Sequence, residues 1–315
     1  MDKFFKFYKK YGIFVVLVVL FAFFSIAAEG FLNTPSLMNI LRQSVVYGVM
    51  VVGVTIVMIS GGTDLSVGGQ VACNGLLIAY MLTHGVPIPV AILIGIVSGM
   101  AFGVLTGTLI ASLKVAPLVV TLCFMLILNG IAVVVSGGYP IYDMPKSFLF
   151  IGQGNIGSVF PFSVLILALA VLIGWFILHK TYFGRQIYAL GGNQGAARLA
   201  GINVFKVRVF TYMISGGFIA LGCIMLLART NSATPTAGAT YPFDCMTACV
   251  LGGVSWGGGS GNIITTMLGV VIIAMIGVGL LLMGFDSNFQ QIIKGLILLM
   301  ALSIDAIQRN KAEKA

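Results

Sequence analysis

Residues 44–82 read SVVYGVMVVGVTIVMISGGTDLSVGGQVACNGLLIAYML. Ser44 to Ser60 carries no charge, and then Gly61-Gly62-Thr63-Asp64 interrupts the run with two glycines and a carboxylate. From Leu65 the chain is uncharged again as far as Leu82. At about 1.5 Å of rise per residue, a helix over each half approaches the roughly 30 Å of a bilayer's hydrocarbon core. A carboxylate between two such runs is tolerated only where protein or a wet cavity surrounds it. The stretch therefore reads as two membrane helices joined by a polar break.

The rest of the chain repeats that pattern. Hydrophobic residues make up 59% of the 315 positions and charged residues 8%, with a mean hydropathy of +1.10. Soluble chains carry charge at roughly a quarter of positions. About ten spans can be drawn by hydropathy. They lie near Tyr11–Ala28, Ser44–Ser60, Asp64–Leu82, Ile88–Leu113, Leu118–Ser136, Phe162–Leu178, Val209–Ala228, Phe243–Val254, Ile263–Met283 and Phe289–Ile307. No linker divides them, so residues 1–315 read as a single all-α transmembrane domain. Lys3, Lys6, Lys9 and Lys10 ahead of the first apolar run imitate a secretory signal, but the many later spans favour an uncleaved first helix. Phe4, Phe5, Phe7 and Tyr8 fit an interfacial aromatic belt. The 41 glycines suit close helix packing and broken helices. Five cysteines without a C-x-x-C pair read as small buried hydrophobes, not as disulfides or metal ligands.

The net charge of +9 does not mark a nucleic-acid binder, because the basic residues sit in short loops and build no soluble face. With the N-terminus inside, thirteen of the 17 Lys and Arg fall on the cytoplasmic side, leaving Arg42, Lys146, Arg229 and Lys294 for the outer half. That asymmetry places both termini in the cytoplasm. The span before Asp64 and the span before Asp244 have opposite directions, and each is followed by a polar break, an acidic residue and an apolar helix. Residues 44–136 and 209–307 thus fit inverted repeats.

Ionisable groups beside such breaks are costly in lipid, which makes Asp64 and Asp244 candidates for a functional site. The structural alternative is that each caps the helix it precedes. Lys294 is expected to snorkel to the outer headgroups, with pairing to Asp286 as the alternative. Gly253-Val254-Ser255-Trp256-Gly257 matches the G-x-S-x-G nucleophile pattern, yet the only histidines, His84 and His179, are poorly placed to serve as its base. A glycine-rich turn is the better reading. Gly152–Gly157 matches G-x-G-x-x-G but lacks the strand, helix and later acid that a dinucleotide site needs. No G-x-x-x-x-G-K-[ST] sequence is present, so any ATP drive has to come from a partner.

The longest polar stretch is His179–Arg208, with Lys180, Arg185, Arg198, Lys206 and Arg208 and no acid. Gly191-Gly192 is expected to break the chain, Asn193 to cap, Gln194–Ala200 to form two helical turns and Gly201 to end them. A helix so short needs a surface to lie against. Anionic lipid headgroups and a cytoplasmic motor are both open at this point.

Three motifs then carry a resemblance: GGTDLSVGG at Gly61–Gly69, YALGGNQGAARLAGINV at Tyr188–Val204 and SATPTAGATYPFDCMTACVLGGVSWGGGSG at Ser232–Gly261. Together they resemble the ribose-type permease subunits of bacterial sugar ABC importers, over nearly the whole chain. The resemblance implies a fold like that of vitamin-B12 importers, a bacterial inner-membrane location and import of a small sugar such as ribose. It further implies three protein partners: a second permease subunit, a cytoplasmic ABC ATPase and an extracytoplasmic sugar-binding protein. The chain itself would hold no cofactor, ATP being bound by the partner. By motif, Gly191, Gly192, Asn193, Ala196, Arg198 and Gly201 fall in the segment that meets the ATPase. Asp64, Ser66, Thr236, Tyr241 and Asp244 fall near the central pathway. A secondary transporter coupling ions through Asp64 and Asp244 is the alternative.

Overall fold

The computed structural model describes residues 2–157 and 160–313. The side chains of Lys3, Phe4, Phe5, Lys6, Phe7, Tyr8, Lys9, Lys10, Arg309 and Lys311 lie outside the described residues, as does Lys314. The first elements are α1 (Asp2–Ala27), α2 (Thr34–Ile59), α3 (Val67–Thr83), α4 (Ile88–Leu113) and α5 (Pro117–Ser136). A short segment follows, with β1 (Ile141–Tyr142), α6 (Lys146–Gln153), β2 (Asn155–Ile156) and β3 (Phe160–Pro161). Next come α7 (Ser163–Lys180), α8 (Tyr182–Gly192), α9 (Gln194–Leu199), α10 (Val204–Thr230) and β4 (Ser232–Ala233). The chain closes with α11 (Tyr241–Leu251), α12 (Ile263–Leu282) and α13 (Ser287–Glu313).

Each of the ten expected spans coincides with a helix. Seven helices are long and apolar enough to cross a membrane, and Gly12–Ala27 and Val67–Thr83 are shorter apolar helices. Sequence boundaries shift where polar residues cap or extend a helix. His179–Arg208 holds the end of α7, all of α8 and α9, and the start of α10, with the expected short helix at Gln194–Leu199.

Helix α2 is the centre of the molecule. Of its apolar window 83% is buried, against 22% for each of α4, α5 and α7, whose remaining apolar faces suit lipid. Against α2 pack α10, α12, α7 and α11. The most extensive contact, however, is between α4 and α10. It depends on a ladder on α4, Gly95, Gly99, Gly103 and Gly107, spaced four apart so that all lie on one face. A Cβ on Gly103 would sit 2.1 Å from the Tyr212 carbonyl oxygen, and one on Gly99 would sit 2.5 Å from that of Gly216. The helices touch backbone to backbone there.

Short ties fix the polar ends. β1 pairs antiparallel with β4, matching Ile141 to Ala233 and Tyr142 to Ser232. Asn231, left-handed at φ 53° at the end of α10, accepts the Met144 N–H at 3.0 Å. The G-x-G-x-x-G match falls on the end of α6 and the β2–β3 hairpin, not on a strand–helix junction.

Candidate functional site

The region expected to meet a motor is built from its caps upward. Thr181 caps α8 by accepting from the Gly184 N–H, Asn193 caps α9 from Ala196, and Asn203 caps α10 from Lys206. Three polar caps within 23 residues make three separate helices out of one basic stretch. Ile187 and Leu190 of α8 and Ala197 of α9 are buried and anchor the unit. Arg208 reaches back from α10 to donate to the Gln194 side chain at 2.7 Å. What stays outside is Arg198, Ala196 and Leu199, the last 92% exposed. Gly201 ends the unit at φ +80°, as its sequence position implied.

The start of α3 and the second helix break come together although 170 residues separate Gly68 from Gly238. Gly68, at the start of α3, and Gly238, between β4 and α11, touch so closely that a Cβ on Gly238 would lie 1.8 Å from the Gly68 carbonyl oxygen. Asp64 is 1% exposed. Its carboxylate accepts from the Ser66 N–H at 3.0 Å, from the Ser66 hydroxyl, and from Ser215 at 3.5 Å. Asp64 therefore orders the entry to α3, with Ser66 as the residue at the helix start. Thr236 is exposed in the second break.

Asp244 behaves otherwise. It lies inside the first turn of α11 and not ahead of it, so it is not an N-cap. Its carboxylate takes Lys294 Nζ of α13 at 3.0 Å on both oxygens. Lys294 also stands 5.7 Å from the Tyr47 ring, which packs on Tyr241 with centroids 5.3 Å apart. Lys294 thus does not snorkel, and its partner is not Asp286. Asp286 instead accepts from the Phe289 N–H at 2.8 Å at the start of α13. Sequence showed only that each ion in an apolar helix needs a partner, not which partner it takes.

The serine motif is a turn. Gly253 has φ +85°, and the Ser255 hydroxyl accepts from the Gly257 N–H at 3.3 Å. Neither histidine reaches it: His84 bonds the Tyr80 carbonyl and His179 the Trp175 carbonyl. Among the described residues no cluster of His, Cys, Asp and Glu could hold a metal.

At the other end of α10 from α8 and α9 lies an open pocket of about 600 Å³ lined by Pro35, Met38, Asn39, Arg42, Gln153 and Arg229. Arg42 donates to Gln153 and Asn155, and Arg229 to Asn39. The 27 residues of α10 between the two ends correspond to about 40 Å, more than a hydrocarbon core.

Comparison with known proteins matches residues 36–302 to the family described as branched-chain amino acid transport system / permease component. The chain belongs to this permease family. The permease is 41% identical to the ribose import permease protein RbsC of Bacillus subtilis, over 89% of this chain and 88% of that protein. It is 36% identical to the galactose/methyl galactoside import permease protein MglC of Haemophilus influenzae, over 89% of each. It is also 36% identical to the probable ABC transporter permease protein YphD of Escherichia coli, over 93% of this chain and 88% of that one. No solved structure matches it. The permease is a multi-pass membrane protein and a transport component, not an enzyme.

Proposed function

We propose that the permease is the membrane subunit of an ATP-driven importer of a small sugar, ribose or a related monosaccharide. The carrying observation is α9, a six-residue helix capped by Asn193 and anchored by Ala197, with Arg198 and Leu199 left uncovered. So short a helix has no stability of its own, and one held open at its outer face fits a partner surface. An ABC ATPase in the cytoplasm is that partner, and it alone binds ATP. The relatives named for ribose and for galactose support the substrate class.

The same reading assigns ten crossings, both termini in the cytoplasm, and inverted repeats over 44–136 and 209–307 in a fold like that of vitamin-B12 importers. The paired breaks at Gly68 and Gly238 support two related halves. A second permease subunit completes the pathway between them. Asp64, Ser66, Thr236, Tyr241 and Asp244 lie at or beside those breaks and shape its walls. The pocket of Arg42 and Arg229 faces an external sugar-binding protein. Asp64 is hydrogen-bonded and Asp244 ion-paired, so neither of these two carboxylates stands free for ion coupling, which favours ATP drive over a secondary mechanism.

The test is uptake of labelled ribose by proteoliposomes holding the permease, its ATPase and its binding protein. ATP-dependent accumulation is expected. Accumulation by the permease alone on a proton or sodium gradient refutes the proposal.

A further inference from the structure

We infer that the glycine-rich turn Ser255–Gly261 is the second half of the coupling apparatus. In it Tyr188, Gly191, Gly259 and Gly261 position α8 and α9 against the end of α2 and the α11–α12 turn at once. The inference rests on the reading of α9 as the ATPase-facing helix.

Three chain segments far apart in sequence meet here through their backbones. The Gly259 N–H donates to the Ile59 carbonyl oxygen, the last residue of α2, at 2.8 Å. The Tyr188 hydroxyl of α8 donates to the Gly261 carbonyl at 2.8 Å. Gly191, in the last turn of α8, fills the space between: a Cβ there would stand 1.9 Å from the Ile59 oxygen and 2.6 Å from the Gly259 nitrogen. On the far side, a Cβ on Gly258 would stand 2.7 Å from Gly61 Cα, and one on Gly259 2.7 Å from Gly192 Cα. Gly258 and Gly259 hold φ +84° and +73°, so side chains are excluded by conformation as well as by space. The Trp256 N–H extends the junction to Asp305 of α13 at 3.2 Å.

The mechanical consequence follows from what is missing. Side chains between two helices can change rotamer and absorb a displacement of an ångström or so; backbones in contact cannot. A tilt of α8 and α9 is therefore passed on undamped to Ile59, two residues before the first break at Gly61, and to the turn below α11, the helix that follows the second. A single input then moves both breaks together.

Gly258→Ala forces the turn off the Gly61 backbone without altering a residue of α8 or α9. In proteoliposomes carrying the full complex, we expect the ATPase to co-assemble and hydrolyse ATP at the wild-type rate while sugar moved per ATP falls at least tenfold. Gly130→Ala, on α5 where an added Cβ meets nothing within 4 Å, controls for the extra methyl and keeps the wild-type ratio. Tyr188→Phe adds no atoms, deletes the bond to Gly261, and is expected to lower the ratio about threefold. An unchanged ratio in Gly258→Ala overturns the inference, as does an unchanged ratio in Tyr188→Phe should Gly258→Ala fail to insert. Failure of the wild-type chain to assemble with any ATPase defeats the proposed function instead, and so is told apart.

Discussion

Removing either charge of the Asp244–Lys294 pair tests how α11, the short helix after the second break, is held. Lys294 Nζ lies 3.0 Å from Asp244, with side chains 14% and 2% exposed. Two unit charges at that distance attract by about 5 kcal/mol at an effective dielectric of about 20. Desolvating them costs several kcal/mol per ion, so the intact pair adds little net stability. Losing one partner is different. The surviving ion keeps its desolvation cost without the attraction, a loss of about 3–5 kcal/mol. Asp244→Leu and Lys294→Met are each expected to show that loss. The double variant, with neither ion left to desolvate, recovers most of it. For 315 residues the usual unfolding entropy converts 1 kcal/mol to about 1.5 °C, so each single variant melts about 4–8 °C lower. The assay is thermal unfolding of the purified chain in detergent, for the wild type, both single variants and the double. Additive losses in the double variant refute the reasoning, because they mean that the two groups do not act as a pair.

Two more outcomes follow from the packing and the caps. Gly103→Leu drives four carbons into the Tyr212 backbone of α10 and is expected to abolish a folded, monodisperse species in size-exclusion chromatography. The control is the same substitution at exposed Gly295, where nothing stands within 4 Å: Gly295→Leu leaves the elution profile unchanged. Asn193→Ala deletes the cap of α9 at a cost of about 1 kcal/mol. Because that helix has only six residues, its ATPase-coupled uptake is expected to fall severalfold while the global melting temperature barely moves.

Much of the candidate site was legible residue by residue. Asn193 as a cap, Gly201 as a stop and the two turns between them were readable because capping is a local property of a few neighbouring residues. The same holds for the break at Gly61–Asp64, where polarity interrupts an apolar run. The partner of Lys294 was not readable. Spacing along the chain offered Asp286, eight residues away, whereas the fold supplied Asp244 from another helix, 50 residues away. The serine motif was correctly seen as a turn, but nothing in GVSWGGGSG told which backbones it would meet. The four-residue glycine ladder of α4 was visible in principle, since its spacing is the period of a helix face.

The amino-acid sequence by itself determined that this is a polytopic helical membrane protein, where its chain breaks, and which residues end its helices. These follow from transfer of side chains out of water and from hydrogen bonds within a turn or two, both of which are set over short windows. Only the tertiary structure decided that Gly68 at the start of α3 lies against Gly238 in the second break, that Asp244 belongs to Lys294, and that Ile59, Gly191 and Gly259 share one junction. Inside a bilayer hydropathy does not distinguish one apolar neighbour from another, so which helices touch is settled by close fit, by glycines that admit a backbone and by the few polar groups that need partners.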